Sequence, residues 1–248
     1  MPDHQKSVLI TGANRGVGLA LSRLFVKRRY KVVAAVRDLS KAPPIEGLAA
    51  VVKIDSNEEL DSAKAIEDLR AKGIYDLDIV IANAGIASPL AYMRDTNMSA
   101  YDEYFRVNTK APLSLFIATY PLLKKQGSKF IAISSAAAQN SMEHVKTNGT
   151  YGASKAAINY ITRQIHFEEP HLTAFTLAPG FLDTDMGIAG AKELGLGYPP
   201  EKFSPSILPL PDSRTELLIN TDSVLGIAQM VDLIEKSDRE SRGGYMWN

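Results

Sequence analysis

Ser7-Val8-Leu9-Ile10 runs directly into Thr11-Gly12-Ala13-Asn14-Arg15-Gly16-Val17-Gly18, and this junction decides the fold. The short apolar run suits a buried parallel strand. From Val17 onward, apolar residues recur at Leu21, Leu24 and Phe25, which is helical spacing. The glycines therefore stand where a strand becomes a helix. Such a junction gathers free backbone N–H groups at the positive end of a helix dipole, and both attract phosphate. Gly12 suits a tight turn, Gly16 leaves room for a pyrophosphate against the backbone, and Gly18 lets the helix pack close to the strand. The ordinary reading of three spaced glycines is that they end strands and open turns, so the junction has to be weighed with the rest of the chain.

Strand and helix signals alternate after it. Lys31–Val36, Ala49–Ile54, Leu77–Ala82, Phe130–Ser134 and Leu172–Leu177 read as strands, and Gly244-Tyr245-Met246-Trp247 as a short last one. Helices are predicted from a Ser56/Glu59 capping box to about Lys72, over 99–110, from Pro112 to about Lys125, over Tyr151–Glu168, and over Thr221–Lys236. This alternation predicts an α/β fold: a single-domain, Rossmann-like, doubly wound parallel sheet of about seven strands with helices on both faces. Right-handed crossovers then bring every strand's C-terminal end to one edge, where ligands bind. Gly12, Arg37, Asp55, Asn83, Ser135 and Pro179-Gly180 each follow a strand and share that rim. From Asp185 to Asn220 the alternation fails; glycines, prolines and apolar residues mix, and the stretch is expected to be a lid over the substrate.

The 248 residues contain no linker, repeat or charge block, which favours one domain. Hydrophobic residues are 45% and charged residues 23%, ordinary for a soluble globular protein. Lys+Arg and Asp+Glu are balanced at 28 each, so neither a nucleic acid nor a membrane surface is an expected partner. With no cysteine, disulfides, thiol catalysis and cysteine-type metal sites are excluded. No signal peptide or membrane-length apolar stretch is read in the sequence, and a cytoplasmic protein is expected. The four histidines form no metal or triad pattern, and no metal is expected.

Tyr151-Gly152-Ala153-Ser154-Lys155 opens a predicted helix, where positions i and i+4 share a face. A neighbouring ammonium favours phenolate and lowers the phenol pKa, which makes Tyr151 a plausible general acid toward a carbonyl oxygen. The plain alternative is an exposed tyrosine beside a solvated lysine. Ser134 and Ser135 end a strand on the ligand edge, where a hydroxyl can polarise the same oxygen or merely cap a turn. Asn108 sits inside a predicted helix, although asparagine is a mediocre helix former.

Together these residues resemble the short-chain dehydrogenase/reductase family. The resemblance rests on Thr11–Gly18, Asn83-Ala84-Gly85, Asn108, Ser135, Tyr151–Lys155, and Pro179-Gly180 with Thr184, in the family's order. TGANRG and Gly243-Gly244 point to its carbonyl-reductase-like members. The resemblance implies a nicotinamide dinucleotide held by the glycine loop, including Asn14, Arg15 and Val17. Asn83 and Gly85 would lie against the adenosine ribose and Asp55 at the adenine edge. Thr184 would hold the carboxamide, with Pro179-Gly180 packed on the nicotinamide. Tyr151 would transfer the proton, Lys155 would lower its pKa and bind ribose, Ser135 would hold the carbonyl, and Asn108 would support a water relay. The resemblance also implies a homodimer or homotetramer packed through the helices near 112–125 and 151–168. Two features depart from the pattern. Many members carry the serine thirteen residues before the tyrosine, where Ala138 stands; Ser135 lies sixteen before it. The 185–220 stretch is longer than that subgroup usually carries.

Arg37 at the end of the second strand, with Arg15, suits a 2′-phosphate, so NADP is expected rather than NAD, with Asp38 paired outward. The function expected is NADPH-dependent reduction of a ketone or aldehyde, or the reverse alcohol oxidation, on a bulky apolar substrate. A non-redox cyclase, epimerase or dehydratase on the same scaffold, or a dinucleotide-sensing binding protein, are the alternatives.

Overall fold

Strands β1 (Ser7–Thr11), β2 (Lys31–Val36), β3 (Ala50–Lys53), β4 (Ile79–Ala82), β5 (Ser128–Ile133) and β6 (Leu172–Leu177) pair in parallel in the order β3-β2-β1-β4-β5-β6. The computed structural model describes residues 5–139, 146–179, 184–193 and 223–238. Side chains alternate across the sheet as the pleat requires. Leu9, Val33, Val80 and Phe130 enter one apolar layer with Ile66 and Leu69 of helix α2 (Asp61–Ala71) and Ile158 of the helix over Gly149–Glu168. Val8, Ile10, Val32 and Ile81 enter the opposite layer with Leu21 and Phe25 of helix α1 (Gly16–Lys27) and Met230 and Ile234 of the helix over Ser223–Lys236. Both faces are covered, which is why the strands read as continuous apolar runs.

The chain runs from β1 outward through β2 to β3, then crosses back to place β4 on the other side of β1. At such a reversal the crossovers diverge and a crevice opens beyond the strand ends. The glycine loop follows β1 and Asn83-Ala84-Gly85 follows β4, so the topology puts the two motifs side by side.

Several sequence expectations are corrected. The Ser56/Glu59 capping box does not form, because α2 begins only at Asp61. Asp55 Oδ1 instead accepts from the Asn57 N–H (3.0 Å), and the buried Asp61 carboxylate accepts from the Asp55 N–H (3.1 Å) and pairs with Lys53 (2.9 Å). These bonds hold the segment in turns. The helices expected over 99–110 and 112–125 are one continuous run: α3 (Met98–Phe105), a π-helical segment (Arg106–Lys110), α4 (Ala111–Thr119) and a 3-10 turn (Tyr120–Leu122). Pro112 lies in the first turn of α4, directly after the widened π segment, where its missing N–H is tolerated. The next helix, α5 (Gly149–Glu168), starts two residues earlier than expected. Within the expected lid, Asp185–Glu193 forms helix α6. The rest of the lid, the expected Thr221-Asp222 cap of α7 (Ser223–Lys236) and the Gly244–Trp247 strand lie outside the described residues.

Candidate active site

The glycine loop is shaped by backbone demands. Gly12 (φ +65°) and Gly16 (φ +53°) occupy the left-handed region. A Cβ on Gly18 would lie 2.3 Å from the Gly12 carbonyl oxygen and 2.6 Å from Asn83 Nδ2, so the start of α1 can sit there only without a side chain. The Thr11 hydroxyl accepts from the Asn83 and Ala84 N–H groups (3.0 Å each), and Asn83 Nδ2 donates to the Thr11 carbonyl (2.8 Å). The Asn83 carboxamide thus braces the loop from behind. Asn14 and Val17 are half-buried in the same turn and Arg15 is exposed on it.

Thr184, from the far end of the chain, closes against this loop. A Cβ on Gly16 would stand 3.5 Å from Thr184 Cγ2. The Thr184 hydroxyl accepts from the Gly187 N–H (3.1 Å), capping α6. Beside it, Arg15 Nη1 meets the Asp185 carboxylate at 3.4 Å. Pro179 is half-buried after β6; Gly180 lies outside the described residues.

At the other end of the crevice Arg37 is exposed beyond β2. Asp38 turns away from it: its carboxylate accepts from the Ser40 hydroxyl (2.7 Å) and N–H (3.0 Å) and faces Lys41 at 3.7 Å. Those bonds hold the Asp38 carboxyl below its ordinary range. Asp55 follows β3 on the same rim, with one carboxylate oxygen engaged by Asn57.

Between these ends, α5 and β5 bring the chemistry-bearing residues together. Lys155 is buried on the first turns of α5, its Nζ donating to the Ile133 carbonyl (2.7 Å) and standing 5.9 Å from the Tyr151 ring centre. Ser135, just after β5, stands beside the Tyr151 phenol, close enough to favour its ionised form, and its hydroxyl accepts from the Ala137 N–H at 3.2 Å. The serine sixteen residues upstream therefore reaches the tyrosine, while Ala138 is buried in the 3-10 turn that follows. A Cβ on Gly85 would come within 3.1 Å of Asn108 Oδ1 and 3.3 Å of Lys155 Nζ, so the Asn83-Ala84-Gly85 strand end is the floor of this cluster.

The electrostatics differ from the sequence expectation in one respect. Burial pushes the Tyr151 phenol up, with Ser135 pulling the other way, so the net shift is upward where a lowering was expected. Burial also pushes Lys155 down, to about 8. Both shifts oppose charge in the low-dielectric interior.

Asn108 is fully buried in the π segment. Its Oδ1 accepts from the Ile86 N–H (2.9 Å) and its Nδ2 donates to the Ile86 carbonyl (2.9 Å) and to Ser154 Oγ (3.1 Å). A π insertion inside a helix commonly marks a functional site, and no residue pattern in Arg106–Lys110 announces it. Sequence reasoning also passed over Ser154, whose hydroxyl donates to the Tyr151 carbonyl (2.7 Å) and whose own carbonyl accepts from the Thr109 hydroxyl (2.9 Å). The only available signal was its place inside YGASK. Tyr104 was missed as well. It is buried, donates to the Pro89 carbonyl (3.0 Å) and meets Tyr151 edge-on at 6.2 Å.

His166 and His171 hold backbone groups: His166 Nδ1 accepts from the Ala174 N–H (3.3 Å), and His171 Nε2 lies 2.9 Å from the Leu123 carbonyl. Among the described residues no cluster of three or more His, Asp or Glu could hold a metal, and no helix is long and apolar enough to cross a membrane.

Residues 6–194, which span every element of this cluster, match the model of the short chain dehydrogenase family. The norsolorinic acid ketoreductase of Dothistroma septosporum is 36% identical over an alignment covering 96% of this chain and 88% of its own. The norsolorinic acid ketoreductase of Aspergillus parasiticus is 34% identical, covering 83% and 82%. Among solved structures, an alcohol dehydrogenase from Thermococcus sibiricus complexed with 5-hydroxy-NADP shares the fold with a TM-score of 0.74 at 22% identity, covering 96% of this chain and 94% of its own. Sequence match, sheet order and strand-end residues agree, and the chain belongs to the short-chain dehydrogenase family.

Proposed function

We propose that the protein is an NADPH-dependent reductase of a ketone or aldehyde, competent in reverse on the alcohol. The observation that carries this reading is the convergence of Tyr151, Lys155 and Asn108 on one strand end: Lys155 Nζ stands 5.9 Å from the phenol ring and packs with Asn108 Oδ1 against Gly85, with Ser135 beside the phenol. The dinucleotide fits the residues present: the left-handed turn at Gly12 and Gly16 leads straight into the N-terminus of α1, whose free N–H groups and dipole suit a pyrophosphate. Gly12, Asn14, Arg15, Gly16, Val17 and Gly18 would hold its pyrophosphate, Arg37 with Arg15 a 2′-phosphate, Asn83 and Gly85 the adenosine ribose, Asp55 the adenine, and Tyr151, Lys155, Pro179, Gly180 and Thr184 the nicotinamide half. When bound, the nicotinamide supplies the hydride.

The chain's own residues do the rest. A phenol raised by burial keeps its proton at neutral pH, which is the form a general acid requires. Tyr151 gives that proton to the carbonyl oxygen while Ser135 donates a hydrogen bond to the same atom. Lys155, one helical turn on, steadies the phenolate as it forms. Asn108 anchors the π segment beside Lys155 and supports the relay that returns a proton. Relatives named as ketoreductases support the reaction type.

The substrate reading extends to α6. Met186 and Ile188 are exposed on it, and Ser88 Oγ donates to Glu193 Oε1 (3.0 Å), linking its end to the segment after β4. An apolar helix in that place supports a cover over a bulky, apolar substrate across 185–220. The reading also includes a homodimer or homotetramer packed through α4 and α5, which leave Ile117, Tyr160 and Phe167 exposed.

The test is NADPH consumption across a panel of carbonyl compounds, comparing wild type with Tyr151→Phe. Removing the proton donor is expected to lower kcat by a factor on the order of 10² or more on a good substrate. Equal rates for the two proteins would remove Tyr151 from the mechanism.

A further inference from the structure

A cavity of about 220 Å³ adjoins Tyr151, and no residue of the glycine loop lines it. Leu90 after β4, Ala100, Tyr101 and Tyr104 of α3, and Tyr151 itself form its apolar wall, and polar residues from Asp95–Asn97 and from Thr147 and Thr150 line the rest. Of the residues assigned above to proton transfer, only Tyr151 borders it. An apolar cavity of about 150 Å³ already accepts benzene, so this one has room for one ring or two fused rings. Its walls present aromatic surfaces: Tyr101 stacks on Phe105 at 4.7 Å, and Tyr104 meets Tyr151 edge-on.

One edge of the cavity carries unusual backbone. Thr147 adopts φ +71°, a strained choice for a β-branched residue. Its carbonyl accepts from the Ala91 N–H (3.0 Å), which latches the segment before α5 to the segment after β4. Met93 packs its side chain against Gly149, where a Cβ would lie 2.4 Å from Met93 Sδ. Tyr104 fixes the third side through its bond to Pro89. Strain and close packing of this kind persist where the surrounding structure over-determines them, and they cluster at ligand clamps.

We infer that this cavity is a specificity pocket for a flat aromatic ring of the substrate, with the reacting carbonyl presented to Tyr151 at its mouth. The inference rests on the reductase reading and narrows it to aryl ketones. Ring faces stack or meet edge-on with tyrosine favourably, whereas a small aliphatic ketone leaves the cavity unfilled.

The experiment compares wild type and Ala100→Phe in NADPH-dependent reduction of 2-acetylnaphthalene and 2-butanone, together with calorimetric binding of 2-acetylnaphthalene. Ala100 is only half-buried on α3. Tyr101→Ala, which removes a wall without adding bulk, serves as the second variant, and thermal melts verify folding of both. Wild type is expected to prefer the naphthyl ketone in kcat/KM. The selectivity ratio should fall at least about ten-fold in Ala100→Phe, a pocket-size effect, and binding should weaken in both variants. An unchanged ratio, or no wild-type preference, overturns the pocket. Wild-type binding without reduction of either ketone overturns the reductase reading and leaves the pocket standing. Reduction of 2-butanone without binding of the naphthyl ketone does the reverse, and neither binding nor reduction overturns both.

Discussion

Tyr151 and Lys155 sit one helical turn apart, the lysine buried and the tyrosine half-buried, and burial acts on them in opposite senses. The acid becomes weaker and the base loses affinity for its proton, so each favours its neutral form. This has a measurable consequence for stability. An unfolded lysine titrates near pH 10.4, whereas Lys155 titrates at about 8. Between those values the unfolded chain binds a proton that the native protein lacks, so stability attributable to Lys155 rises with pH across that window. Below pH 8 the full penalty of burying the ammonium applies, and it amounts to about 3 kcal/mol. Wild type should therefore gain about that much on Lys155→Met between pH 8 and 10.5, read from urea unfolding at a series of pH values. A difference that stays flat over the window would mean that burial does not disfavour the ammonium. The pairing itself was legible, because i and i+4 positions share a helix face whatever surrounds them. The direction of the phenol shift was not, since it depends on desolvation by elements distant in sequence.

Helices are joined here by side chains that serve both partners. Ser154 on α5 accepts from Asn108 and donates within its own helix, while Thr109 donates back to the Ser154 carbonyl. The π segment is thereby fastened to the helix that carries Tyr151 and Lys155. Ser154→Ala is expected to cost about 1–3 kcal/mol, because it removes buried partners from both sides. Combined with Thr109→Val, the loss should fall short of the sum of the two single effects, since both delete one contact region. Denaturant unfolding of the two single variants and the double variant measures this, and strict additivity would show that the two bonds act independently. Elements with strong local signals were readable: β2 and β6 begin and end where β-branched and apolar runs begin and end. The π segment was not readable, because its identity lies in which carbonyl each N–H finds. The start of α2 was misjudged for a similar reason. Ser56 and Glu59 have the residue types of a cap, but the Asp55 carboxylate holds the Asn57 N–H and Asp61 the Asp55 N–H, which keeps the segment in turns until Asp61.

At the scale of the molecule, strand–helix alternation was enough to anticipate a parallel sheet covered on both faces, because crossover geometry leaves few other topologies. The reversal between β1 and β4 then brings the glycine loop and Asn83-Ala84-Gly85 together without help from any specific contact. The residues binding that pair, Thr11 and Asn83, were legible as motif letters and not as a brace. The exposed face of α4 and α5 bears on assembly. Ile117 and Tyr160 are 64% and 65% exposed on the helices through which the proposed dimer or tetramer would pack. Ile117→Lys with Tyr160→Glu should shift the protein to a smaller assembly in sedimentation velocity at micromolar concentration. A wild type that sediments as a monomer, or a double variant that sediments as wild type does, would remove this face from the interface.

The Thr11–Asn83 brace finally has a kinetic meaning. Because the loop backbone is already tethered to β4 and wedged against α1 at Gly18, its ordering entropy is spent during folding rather than at the encounter with a ligand. Docking of a dinucleotide then resembles a key entering a finished lock, and its association rate is governed by diffusion and charge steering instead of loop rearrangement.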